Sequence, residues 1–145
     1  MKKLFLSLVM ILAFVATGFA RDEYAHDAKV LPKAAQTFIA NHFKAKVGVV
    51  KIDKDFGSIS EYEVTLSDGS EITFDKNGNW KDVETNVSAA VPSKIIPSPI
   101  SSFVSKNHPG QRIVGIDKER NGYEVTLSNG IDIKFDTKGA FKKYD

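Results

Sequence analysis

Tyr62-Glu63-Val64-Thr65-Leu66-Ser67-Asp68-Gly69 returns as Tyr123-Glu124-Val125-Thr126-Leu127-Ser128-Asn129-Gly130, with only Asp68 exchanged for Asn129. In both copies Tyr, Val and Leu alternate with Glu, Thr and Ser, the period of a strand with one buried face. Asp-Gly and Asn-Gly are dipeptides that supply positive φ, so each octapeptide is expected to end in a two-residue hairpin turn. The apolar positions resume afterwards at Ile72 and Phe74, and at Ile131, Ile133 and Phe135. Asp75-Lys76-Asn77-Gly78 and Asp136-Thr137-Lys138-Gly139 then read as second turns, with Asp first and Gly fourth. Trp80 and Phe141 open a last short strand in each copy.

Upstream, the correspondence extends to a strand before each hairpin, around Val47 to Asp53 and Ile113 to Lys118, with Ile52-Asp53-Lys54 aligned on Ile116-Asp117-Lys118. Farther upstream each copy has a helix. Leu31, Ala35, Phe38, Ile39 and His42 share one helical stripe, and Ile96, Ile100, Phe103, Val104 and Asn107 repeat the spacing. Pro32 fits a first helical turn, and Asn107-His108-Pro109-Gly110 ends the second helix. The expected fold is α+β, a tandem of one helix plus a four-stranded antiparallel sheet. The first unit covers 31–85 and the second 95–145, with a linker at 86–94 and an N-terminal extension at 21–30. One face of each sheet is apolar and lies under its helix. The other stays open and carries Glu63, Thr65, Glu71 and Thr73 in one unit, and Glu124, Thr126, Asp132 and Lys134 in the other.

The first twenty residues have a different character. Lys2 and Lys3 precede an apolar run from Leu4 to Val15, and Gly18-Phe19-Ala20 places small residues before a cut. This is the pattern of a cleaved secretory signal over 1–20, and the run is shorter than the roughly 20 residues of a membrane span. A periplasmic or secreted product without a membrane span is expected. Removing Lys2 and Lys3 from 20 basic residues leaves 18 against 18 acidic ones. That balance disfavours a nucleic-acid binder, which needs surplus cations to displace counterions. The chain has no cysteine, which removes disulfides, thiolate metal sites and thiol nucleophiles together.

With these residues in view, the chain resembles the PepSY-like family, also described as β-lactamase-inhibitor-like. The resemblance rests on the doubled Tyr-Glu-Val-Thr-Leu-Ser-Asp/Asn-Gly, the following Ile-x-Phe-Asp-x-x-Gly and aromatic, and the Leu-Pro or Ile-Pro before each helix. It runs from about Leu31 to Tyr144. It implies the tandem α-β4 fold and a protein or peptide partner gripped by the open sheet face, with inhibition of an exported hydrolase as a specific form. The matching positions are those of core and turn, so no contact residue is transferred. The other reading is an envelope structural or stress-related protein without an enzyme target.

The residues themselves offer little catalytic chemistry. His26, His42 and His108 lack the spacing of a metal pair, and the last two suit helix C-termini, where the dipole favours them. Asp75 to Gly78 lacks the alternating oxygen ligands of a calcium loop. No nucleophile elbow occurs. We therefore expect no enzyme, no cofactor and no metal. The candidate interaction residues are Phe56, Glu63, Thr65, Thr73, Trp80, Glu124, Thr126 and Lys134. Phe56 stands out because its loop has no counterpart aromatic in Arg120-Asn121-Gly122.

Overall fold

The computed structural model describes residues 22–145. The expected signal segment and its cut at Ala20 lie outside them. The described residues form an antiparallel sheet of nine strands in sequential order. β1 (Glu23–Ala25) leads into a 3-10 turn and α1 (Lys33–His42). Then come β2 (Val47–Asp55), β3 (Ser58–Leu66), β4 (Glu71–Asp75) and β5 (Trp80–Glu84). A second 3-10 turn precedes α2 (Ser98–Asn107), followed by β6 (Ile113–Glu119), β7 (Gly122–Leu127), β8 (Asp132–Phe135) and β9 (Phe141–Tyr144).

The class is thus α+β, and the strands expected as two groups form one sheet: β5 pairs with β6 through Asp82↔Asp117, Val83↔Ile116 and Glu84↔Gly115. β1 is an addition that the sequence pattern does not announce. It pairs with β2 over Glu23 to Ala25. The stretch between β5 and α2 is tied down as well, because Val91 is buried and its N–H donates to Ile113 O at 2.8 Å.

Both helices bury the same kind of face. Ala35 and Ile39 of α1, with Ile100 and Val104 of α2, join Val64, Ile72, Phe74, Val83, Ile116, Val125, Ile133 and Phe135 in one apolar cluster. Phe38 meets Phe74 edge-on at 5.6 Å, and Phe103 meets Phe135 likewise at 5.5 Å. Each helix begins after a proline, Pro32 or Pro97, and the turn glycines Gly78 and Gly139 pack against the helix starts at Pro32 and Pro99.

Two expectations are corrected. Asp68-Gly69 and Asn129-Gly130 do not make two-residue turns: only the glycines have positive φ, and Leu66 N–H reaches Ser70 O while Gly69 N–H reaches Leu66 O. These are three-residue loops closed by a glycine bulge. The cause is Asp68, whose carboxylate accepts from Ser70 N–H at 2.9 Å and holds its own backbone out of the left-handed region. The two-residue turn is instead Phe56-Gly57, where both φ are positive, 51° and 82°. The second correction concerns alignment. Val50 stands opposite Val64 and Ile116 opposite Val125, so Val50, not Ile52, corresponds to Ile116. The β2–β3 hairpin is longer than β6–β7, and the extra length hides this offset in the sequence.

Candidate functional site

Strand alternation leaves the sheet face away from the helices polar, and strand register sets its side chains in rows. One row runs Lys51, Glu63, Thr73, Asp82, Asp117, Glu124, Lys134, Lys143, each opposite the next on the neighbouring strand. A second row runs Thr65, Glu71, Glu84, Gly115, Thr126, Asp132. Of the sequence candidates, Glu63, Thr73, Glu124 and Lys134 share the first row, and Thr65 and Thr126 share the second. Six of the eight therefore meet on one surface.

The other two lie elsewhere. Trp80 is on the helix side, its ring 6.3 Å from Phe38 and under the Lys118 ammonium, 3.9 Å from the ring centroid. Phe56 is 100% exposed at the tip of the β2–β3 hairpin. A bulky L-residue at φ 51° costs roughly 1 kcal/mol, because its Cβ crowds the following carbonyl.

At the β2 end of the face, Lys51 Nζ lies 3.0 Å from Asp53, 3.4 Å from Glu63 and 3.7 Å from Asp22. Burial works to lower the Lys51 pKa, but the Asp53 hydrogen bond and the charges of Glu63, Asp53 and Asp22 outweigh it and raise the pKa. Asp53 is itself raised, by burial first and then by Glu63, against the pull of Lys51. Carboxylate oxygens of Asp53, Glu61 and Glu63 come within 4.8 Å of one another, a spacing a cation could use. Two of these carboxylates are already held by Lys51, and Glu61 is held by Lys81 at 2.8 Å. A cation here must displace an ammonium group. The sequence pattern did not reveal this network, since it depends on which residues face each other across bulged strands.

At the other end, Lys134 Nζ reaches Glu119 at 3.4 Å and Glu124 at 3.5 Å, and Thr126 donates to Asp132 at 2.6 Å. Glu124 Oε2 is buried without a hydrogen bond. Burial, and then the Asp145 carboxyl, push the Glu124 pKa up, while Lys134 opposes them.

The histidines take structural partners. His26 Nδ1 contacts Gly48 O at 3.0 Å, His42 packs on Phe38 at 4.7 Å, and His108 Nε2 meets the Tyr144 hydroxyl at 2.9 Å. The Asp75 carboxylate accepts from the Asn77 and Asn79 amides, and Asp136 from those of Lys138 and Ala140, each at 2.9 Å, so both serve their turns. An open groove of about 710 Å³ lies beside α1, lined by His26, Gln36, Ile39, Phe43, Lys46 and Val47 among others. Among the described residues no helix is long and apolar enough to cross a membrane.

The family model described as beta-lactamase-inhibitor-like, PepSY-like matches twice, at residues 19–67 and 60–143. The chain belongs to this family. Three solved structures resemble the PepSY-like chain closely. A periplasmic protein of unknown function from Bacteroides vulgatus is 38% identical with a TM-score of 0.80, over 86% of this chain and 98% of that one. A periplasmic protein from Bacteroides thetaiotaomicron, proposed to be calcium-regulated, is 36% identical with a TM-score of 0.78, over 86% and 96%. A second Bacteroides vulgatus periplasmic protein is 35% identical with a TM-score of 0.78, over 88% and 99%. None of the curated proteins matches this PepSY-like chain. The company of periplasmic relatives agrees with the export read from the sequence, and the protein is periplasmic or secreted.

Proposed function

We propose that the chain is a tandem of two helix-plus-four-strand units serving as an exported, non-catalytic binding module that takes a protein or peptide partner on the uncovered face of its sheet. The carrying observation is the row from Lys51 to Lys143, a polar surface crossing eight strands while the apolar side is packed under α1 and α2. The tandem is supported by matching positions: Trp80 and Phe141 stand opposite Phe74 and Phe135, and Asp75 and Asp136 hold identical turns. Phe56 extends the surface as an aromatic that the fold pays about 1 kcal/mol to hold in the open. Inhibition of an exported hydrolase is the specific form that the family description suggests.

The calcium-regulated description of one relative bears on the Asp53–Glu61–Glu63 group. Lys51 and Lys81 already pair with these carboxylates and stand where a cation would bind, so the polypeptide partner ranks first.

The test is capture from envelope extracts with the parent protein beside Thr73→Arg, Thr126→Arg and Phe56→Asn variants. A partner retained by the parent and lost with either arginine supports the face. Equal retention by all, or reproducible recovery of nothing, sinks it. Phe56→Asn suits the positive φ of its turn, so weaker capture by that variant, with its fold intact, assigns the hairpin tip to the contact.

A further inference from the structure

The two-unit reading, on which this inference rests, makes β9 the counterpart of β5. Val83 and Tyr144 stand opposite Ile72 and Ile133 just as Trp80 and Phe141 stand opposite Phe74 and Phe135. The outer edge of β5 is filled by β6. There Ile116 lies beside Val83, Thr85 N–H donates to Val114 O at 2.8 Å, Val83 falls to 0% exposure, and Lys118 covers the Trp80 ring.

β9 repeats the frame at the end of the sheet, and among the described residues no strand pairs with its outer side. Asp145 N–H is directed inward to Asp132 O at 3.0 Å. Alternation along an antiparallel strand therefore turns the main-chain N–H and C=O of Tyr144 outward. Phe141 stacks on Phe103 at 4.7 Å with planes 7° apart, and the Tyr144 hydroxyl is held by His108, yet the two rings remain 41% and 50% exposed. The result is a preformed aromatic wall beside an open line of backbone.

We propose that the outer edge of β9 is a strand-addition site for an extended segment of a partner protein, one with an apolar residue beside Tyr144, an acidic residue beside Lys143 and a long cationic side chain over Phe141. Each requirement comes from what β6 supplies to β5: Ile116 beside Val83, Asp117 beside Asp82, and Lys118 over Trp80. The one change strengthens the requirement, because Lys143 replaces Asp82 and turns a like-charged pair into an attractive one. The same lysine disfavours a second copy of this chain as occupant. Two β9 strands in antiparallel array bring Lys142 and Lys143 against their own equivalents, a common device against edge-to-edge pairing. Main-chain bonding gives such a site affinity, and the side pockets give it specificity.

The test titrates a blocked synthetic peptide with the sequence of residues 112–119 into the isotope-labelled exported protein, followed by amide NMR. The expected result is saturable binding below about 1 mM, with shifts centred on Lys142 to Asp145. A peptide carrying Asp117→Lys is expected to bind severalfold more weakly, up to about tenfold. Tyr144→Pro, which removes the outward donor, abolishes binding, and Lys143→Glu in the protein reverses the preference between the peptides. The charge reversal keeps the proposal testable if the proline variant fails to fold. No binding, or shifts confined to the polar face around Thr73 and Thr126, overturns the edge site, and β9 shifts produced by concentrating the protein alone overturn the partner segment as its occupant. Binding at β9 with the peptide isoleucine of position 116 away from Tyr144 instead overturns the two-unit correspondence and leaves the edge site standing.

Discussion

Glu124 and Asp136 lie two strands' length apart in sequence and respond to pH in opposite directions. Asp136 accepts the Ala140 and Lys138 amides, which holds its carboxyl below the usual range. The folded state then releases this proton more readily than the unfolded one, so its contribution is present above the unfolded pKa and is lost as pH falls through the folded value. Asp75 behaves alike: burial acts to raise it, and the Asn79 and Asn77 hydrogen bonds overcome that. Glu124 is raised, by burial and then by Asp145. Its folded state holds the proton longer, so ionisation at neutral pH weakens the fold as pH climbs from the unfolded towards the folded value. Glu124→Gln is accordingly expected to be at least as stable as the parent at pH 7, with the advantage gone near pH 4 and below, where the parent carboxyl is itself protonated (unperturbed value about 4.3). Urea midpoints at the two pH values check this, and a variant weaker at pH 7 than at pH 4 relative to the parent contradicts it. Lys134 keeps Glu119 as a partner in the variant, which limits the loss.

At the scale of elements, the hairpins depend on few residues. Gly122 opens β7 at φ 146°, and a Cβ there runs into the carbonyl oxygen of Phe135 on the adjacent strand. Gly122→Ala is expected to cost about 3 kcal/mol, since the strand cannot retreat without breaking the pairing of β7 with β8. Gly57→Ala, at φ 82° with nothing within 4 Å of the added carbon, bears only the backbone strain and is expected to lose about 1 kcal/mol. Denaturant melts of the two variants check the order, and equal losses contradict the steric account. These elements also show what the sequence reveals. Helices α1 and α2, strands β3, β4, β7 and β8, and the turns at Asp75 and Asp136 follow from local spacing, because their signals are side-chain period and turn chemistry. β1 is three residues with no alternation to read. The turn after Leu66 differs from the two-residue form because Asp68 uses its side chain, not its φ, to close the loop. The offset at Ile52 has no local mark in the sequence, because hairpin length and bulges set register. The same holds for the candidate face: alternation exposes which side chains share it, while the Lys51 and Lys134 networks appear only with register.

For the whole molecule, the decisive contact is β5 with β6. Two units that merely touched would melt separately, but this seam is core. Val83 and Ile116 are buried in the same apolar cluster as Val91 and Ile95, and each strand from β1 to β9 pairs with the next. Separating the halves exposes Val83, Trp80 and Ile116 together, so neither half is expected to survive the loss of the other. The protein is therefore expected to unfold in one transition. About 125 residues at about 0.7 kcal/mol each imply an unfolding enthalpy near 85 kcal/mol around 60 °C. In a cooperative sheet the van't Hoff enthalpy matches that calorimetric value, whereas independent halves give a van't Hoff value of only about 45 kcal/mol. Scanning calorimetry separates the two cases. Val83→Ala sharpens the test: a shift of the entire transition to lower temperature is expected, and a split into two peaks contradicts the single core. If the sheet unfolds as one body, side chains as far apart as Lys51 and Lys143 hold a fixed spacing, and the partner proposed for the face would meet a surface already in place.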